Sequence, residues 1–267
     1  MAETASDGPP LLPLTRSDRD TLRYAMSSFD WIDQQSDLEA LIDTLVTSEA
    51  YALDTEFHRE RTYRPELALV QVATEDRLAL IDPLAVDVRP LARALTSDAV
   101  CVIHAASQDL EILQLECGAV PTRLFDPQTA ALFCGLGISS LAKLVEHFLG
   151  IRLDKSSQLT NWNRRPLPER DLHYAAEDVA YVLELRRICT GKLEERARLA
   201  WAEEEIERQR SRDRSTPDRN RLWWKLRGKA KLSGRARGVA QELAAWREET
   251  ASERNRPTRT ILSDMAL

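Results

Sequence analysis

Asp54 and Glu56 stand two residues apart in Tyr51-Ala-Leu-Asp-Thr-Glu-Phe57, an otherwise apolar run. Successive side chains of a strand alternate between faces, so in a strand these two carboxylates project from one side of the sheet. Like charges that close are costly unless something positive lies between them, and oxygen donors of this kind suit a divalent cation. Alone, Asp-x-Glu is a weak signal and describes solvated carboxylates at a strand end better than a metal site. Further acids downstream change that. Asp109 falls in the first turn of a helix expected over Ser107–Glu116, where the helix N-terminus partly offsets its charge. Tyr174 and Asp178 are four apart on a helical stretch and share a face, with Tyr181 and Leu185 continuing the stripe.

The elements that must position these residues follow from periodicity. Ser36-Asp-Leu-Glu39 fits a capping box, and Leu38, Leu41, Ile42 and Leu45 recur at helical spacing, so an amphipathic helix precedes the Asp-x-Glu strand. Leu67–Ala73 and Arg77–Ile81 read as a hairpin around Thr74-Glu-Asp76, the antiparallel part of a mixed sheet. From Val88 the pattern alternates: helix to Leu95, strand Val100–His104, then a helix capped by Ser107 and stopped at Gly118. Leu124–Asp126 feeds a helix over Pro127–Phe133 with proline at its first position, and Ser139–Leu149 is a further helix ending at Gly150. A long polar loop, residues 153–166, contains one Trp. Leu167–Gln209 reads as one long helix with a break near Thr190-Gly191. Such alternation is the signature of an α/β fold.

Composition narrows the class. The 267 residues allow one large domain or a medium and a small one. The net charge of −6 hides an asymmetry, since Arg208–Arg237 holds 12 Lys or Arg against Asp213 and Asp218. A basic segment on an acidic body suits a polyanion partner, and a solvated linker of alternating charge reads the same way on composition. Cys101, Cys117, Cys134 and Cys189 lack any C-x-x-C pairing and sit mostly in apolar sequence, as reduced buried thiols of a cytoplasmic protein do. The start of the chain has no positively charged region before its short Leu run, unlike a signal peptide. Its longest apolar run, Ala130–Ile138, is far short of the roughly 20 residues a membrane span requires, so no membrane association is expected.

The ordered set Asp54-Thr-Glu56, His104-Ala-Ala-Ser-Gln-Asp109 and Tyr174-Ala-Ala-Glu-Asp178 resembles the three exonuclease motifs of the DEDD superfamily in its tyrosine subclass. Leu53-Asp-Thr-Glu-Phe57, Leu80-Ile-Asp-Pro-Leu84, Leu153-Asp-Lys-Ser156 and Arg165-Pro-Leu167 narrow the resemblance to the bacterial ribonuclease D family, over about residues 28–200. The resemblance implies a ribonuclease H-like mixed sheet flanked by helices and two divalent cations, Mg²⁺ or Mn²⁺. It implies that Asp54, Glu56 and Asp178 hold the cation that activates water, that Asp54 and Asp109 serve the second, partly through waters, and that Tyr174 orients or helps deprotonate the attacking water. The chemistry would be phosphodiester hydrolysis with the cations roughly 3.5–4 Å apart and no covalent intermediate. Phe57, Lys155, Trp162 and Arg165 are candidates for holding 3′-terminal nucleotides, by stacking or by phosphate pairing; Phe57 and Trp162 suit core packing equally. His104 is read as structural.

Arg221-Leu-Trp-Trp-Lys-Leu-Arg-Gly228, Leu232-Ser233 and the helical run Arg235–Glu253 resemble the start of an HRDC domain, a small all-helical nucleic-acid-binding module. Ser233 would cap its second helix, Val239, Leu243 and Trp246 would lie on the buried face, Arg256-Pro257 would end it, and Ile261–Leu267 would begin another. The expected organisation is a mobile tail over 1–25, an exonuclease domain over 26–200, a basic linker and helix end over 201–217 and a partial HRDC-like segment over 218–267. The expected activity is 3′-5′ trimming of structured RNA such as tRNA precursors, releasing nucleoside 5′-monophosphates. A DNA-directed exonuclease and a non-catalytic nucleic-acid-binding protein are the alternatives, and no protein partner is inferable.

Overall fold

The computed structural model of the chain describes residues 28–153, 160–214, 218–226, 228–264 and 266. The expected N-terminal tail lies outside them, as does Lys155. The chain divides into two compact units, one running to Thr55 and resuming over Leu69–Ser211, the other comprising Glu56–Ala68 and the residues from Arg212 on.

Six strands form one mixed sheet in the order β1-β4-β3-β2-β5-β6: β1 Asp30–Ile32, β2 Ala50–His58, β3 Glu66–Ala73, β4 Leu78–Ile81, β5 Val100–Val102 and β6 Leu124–Phe125. β3 and β4 pair antiparallel as the expected hairpin, whereas β1 with β4, β2 with β5 and β5 with β6 are parallel. β1 has no counterpart in the sequence reading, because three residues hold too little alternation to register. β3 is buried along Leu67–Ala73, as a central strand covered on both faces is.

Helices flank the sheet. α1 (Gln35–Thr47) buries the predicted stripe Leu38, Leu41, Ile42 and Leu45 at no more than 1% exposure. It starts a residue before Ser36, with Gln34 at the cap position and no side-chain cap bond, so the expected capping box at Ser36 is not formed. A short 3₁₀ turn, Arg89–Leu91, runs into α2 (Ala92–Leu95). α3 spans Ser107–Glu116 as expected, but Ser107 is its first helical residue and Ala106 the cap. The chain turns at Ala105 (φ 57°), whose N–H donates to Asp126 Oδ1, and this bond replaces a serine cap in setting the helix start. α4 (Pro127–Phe133) is capped by Asp126, which accepts from Gln128 N–H, and α5 (Leu141–Leu149) ends at left-handed Gly150.

The long C-terminal stretch is three helices, α6 (Glu169–Ala180), α7 (Val182–Glu195) and α8 (Leu199–Arg210). The expected break at Gly191 is absent, since Gly191 lies within α7. The chain bends instead at Tyr181, whose buried ring packs with Leu144, Val145, Leu149 and Leu185, and at Ala197, which takes a left-handed φ of 51°. Tertiary packing overrides the local preference for continuity here. No helix among the described residues is long and apolar enough to cross a membrane.

In the second unit, a 3₁₀ segment over Arg219–Lys225 packs on α9 (Gly234–Glu253), with Leu222, Leu226, Ala240, Ala244 and Ala245 as the core. Ser233 occupies the cap position without a side-chain bond. The expected buried face is wrong: Val239 and Trp246 are 53% and 48% exposed, and α9 buries its alanines instead, whose small side chains let the 3₁₀ segment come close. The last helix, α10, is Thr258–Ile261 rather than a run beginning at Ile261, because it starts directly after Pro257.

Candidate active site

Asp54 and Glu56 both lie in β2 and keep their i, i+2 relation on one face of that strand. α6 packs against β4 and carries Asp178. The carboxylate oxygens of Asp54, Glu56 and Asp178 lie within 4.8 Å of one another. This all-oxygen donor set, three carboxylates from two elements, fits a hard divalent cation. Tyr174 stands one helical turn before Asp178, and its ring lies 6.3 Å from that of Trp162, tilted by 31°.

Asp109 is delivered by the first turn of α3. It is buried and accepts a hydrogen bond from Thr55 Oγ1 at 2.6 Å. It does not join the cluster of three, and the structure instead ties it to the strand residue between Asp54 and Glu56. Burial pushes the Asp109 carboxyl up to about 6 against the lowering effect of the Thr55 bond. Asp178 is pushed up to about 7, by burial first and then by the charge of Glu177. Both carboxyls are thus driven toward their neutral form, and a bound cation would draw them back.

The candidate substrate contacts separate. Phe57 is half-buried, with the Arg59 guanidinium 5.4 Å above its ring. Trp162 is only 3% exposed, beside the Tyr174 ring, and offers little free stacking face. Arg165 is engaged twice: Nε and Nη2 donate to the two Asp82 carboxylate oxygens at 2.7 and 2.6 Å, and Nη1 donates to Trp162 O at 2.7 Å. Its guanidinium also lies 5.6 Å over the Trp31 ring.

Two supporting residues escaped the sequence reading. Thr55 is hidden inside a motif read only for its acids. Asp126 holds both the Ala105 turn and the start of α4, and the Asp-Pro pair before a helical run was the signal that could have found it. His104, beside Asp126, is lowered in pKa by burial, and its Nδ1 is buried with no hydrogen-bond partner among the described residues.

A family model described as 3′-5′ exonuclease matches residues 29–194, and one described as HRDC domain matches residues 236–267. Ribonuclease D of Bartonella henselae is 38% identical over 240 residues, covering 88% of this chain and 59% of that protein. Ribonuclease D of a Jannaschia species is 41% identical over 244 residues, covering 88% and 63%. The crystal structure of Escherichia coli RNase D, described as an exoribonuclease involved in structured RNA processing, superposes with a TM-score of 0.82 at 34% identity, covering 89% of this chain and 64% of that one. The chain spans about 60% of the length of these curated relatives.

Proposed function

Because this chain belongs to the 3′-5′ exonuclease family, we propose that it hydrolyses RNA from the 3′ end and releases nucleoside 5′-monophosphates. The observation that carries the reading is the meeting of Asp54, Glu56 and Asp178 within 4.8 Å, with Tyr174 one turn away. Asp54, Glu56 and Asp178 would hold one divalent cation, and Asp54 with Asp109 a second, either Mg²⁺ or Mn²⁺. Such cations lower the pKa of bound water and stabilise charge on the leaving 3′ oxygen.

The remaining work falls to side chains. A phenol with an ordinary pKa near 10 is a poor base at neutral pH, so Tyr174 positions the attacking water. Trp162, packed against Tyr174, limits its swing. Phe57 and Lys155 would meet the terminal nucleotides by stacking and by phosphate pairing. Arg165 would order the Trp162 segment through Asp82 while holding the substrate strand near it. Structured RNA such as tRNA precursors is the proposed substrate, in keeping with the printed description of the Escherichia coli relative. Four buried free thiols are compatible with a reducing cytoplasm.

The test is degradation of a 5′-labelled single-stranded RNA, and of DNA of the same sequence, with Mg²⁺ or Mn²⁺, with EDTA, and with Asp54→Ala. A cation-dependent ladder shortening from the 3′ end of RNA and lost in the variant is expected. A ladder on DNA alone would move the substrate to DNA, and no cleavage by folded, cation-loaded protein would leave a binding role only.

A further inference from the structure

Thr55 points away from the face that Asp54 and Glu56 share, yet it is what holds Asp109. Its hydroxyl donates to Asp109 Oδ1 at 2.6 Å, and the two side chains are buried at 5% and 6% exposure. A backbone hydrogen bond from Thr55 also stabilises that carboxylate. Strand pairing explains why this backbone group is available. β2 and β5 run in register from Ala50↔Val100 to Ala52↔Val102, and Val100 N–H donates to Glu49 O. In such a ladder alternate residues face the neighbouring strand, so Glu49, Tyr51, Leu53 and Thr55 present their backbone groups toward β5. β5 stops at Val102. At Thr55 the neighbouring strand has ended, and the Asp109 carboxylate, carried in by α3, takes its place.

We infer that Thr55 is a positioning residue of the nuclease site: its hydroxyl and backbone N–H clamp Asp109 to the edge of β2, so that the acid of α3 and the two acids of the strand are held as one rigid set. The inference rests on the reading of Asp109 as a member of that site. Threonine suits the task because its β-branch restricts χ1 and pre-aims the hydroxyl. The bond to a charged acceptor is also the stronger kind.

The experiment compares Thr55→Val, Thr55→Ala, Thr55→Ser, Asp109→Ala and the Thr55→Val/Asp109→Ala pair. Mn²⁺ binding is read by calorimetry without RNA, and RNA trimming is read as kcat and KM. Thr55→Val is expected to weaken Mn²⁺ binding and lower kcat by about 10- to 100-fold, the usual effect of removing a partner behind a metal-ligating group, with KM for RNA unchanged. Thr55→Ser, which keeps the donor, should recover most of both. In the Asp109→Ala background Thr55→Val should add nothing, since it acts through the missing carboxylate. Thermal unfolding checks each variant, and Thr55→Ala against Thr55→Ser isolates the hydroxyl if valine is not tolerated. Unchanged Mn²⁺ binding and kcat in the variants lacking the hydroxyl, or losses that add in full to Asp109→Ala, would overturn the positioning role alone. Unimpaired trimming by Asp109→Ala would overturn the placement of Asp109 in the site, and the positioning role with it.

Discussion

Asp54 and Tyr174 carry unequal shares of the proposed chemistry, and their substitution should show it. Asp54 is a direct cation ligand in the reading above, whereas Tyr174 only aims a water. Asp54→Ala is therefore expected to lower the trimming rate by about a thousandfold or more, and Tyr174→Phe by about 10- to 100-fold, measured on one labelled RNA. Equal losses would mean that Tyr174 does more than position. The raised carboxyls make a second prediction. With folded pKa values of about 6 for Asp109 and about 7 for Asp178, these groups hold more protons in the folded protein than in the unfolded chain between the unfolded carboxylate pKa and about pH 7. The stability these groups contribute is complete below the unfolded carboxylate pKa and is lost as pH rises through 6 and 7. Cation binding offsets that loss by favouring the ionised forms. The rise in Tm on adding Mn²⁺ to EDTA-treated protein should be small at pH 5.5 and grow toward pH 8; a rise independent of pH would contradict it.

At the scale of elements, the pair Asp82–Arg165 joins the end of β4 to the segment leading into α6, the helix of Tyr174 and Asp178. The Asp82 side chain is 7% exposed and Arg165 23%. Asp82 also accepts from Leu84 N–H. Removing one partner leaves a nearly buried charge, so Arg165→Met should cost roughly 3 kcal/mol in urea denaturation, and adding Asp82→Asn should recover part of it. A loss below about 0.5 kcal/mol would mean that the pair behaves as an exposed one. Both residues stand in motifs visible in the sequence, 83 positions apart. Their bond was not legible there, because an ion pair is a matter of where two elements dock. The helix limits tell the same story. Pro127–Phe133 matches its local signals, whereas the start of Ser107–Glu116 is set by the Ala105 turn rather than by a serine cap, and the bend at Tyr181 arises from where its ring is buried.

At the scale of the whole molecule, the loop that leaves β2 after His58 belongs with the C-terminal helices. Tyr63 Oη donates to Glu248 Oε1 at 2.9 Å, Arg64 N–H to Asn255 Oδ1 at 3.2 Å, and Arg259 Nη2 to Glu60 O at 3.2 Å. Removing two of these acceptors, in Glu248→Ala/Asn255→Ala, should raise local opening of residues 59–65. Trypsin cleavage after Arg59 and Arg61 should then quicken about 30-fold, the equivalent of ~2 kcal/mol at about 1 kcal/mol for each of the two lost bonds. No change in cleavage would show that the strands alone hold the loop.

What the sequence by itself determined is the chemistry and the order of the elements: two acids at strand spacing, an acid in the first turn of a helix, a tyrosine and an acid one turn apart, and the α/β alternation that carries them. These are short-range facts, written in residue type and periodicity. The motif resemblance already implied a common ligand set of Asp54, Glu56 and Asp178; only the tertiary structure decided that Asp109 hangs from Thr55, that Arg165 is tied to Asp82, and that α9 buries alanines and exposes Trp246. Each depends on which surfaces meet. That choice is made by burial and geometry across the whole chain, and no local pattern encodes it.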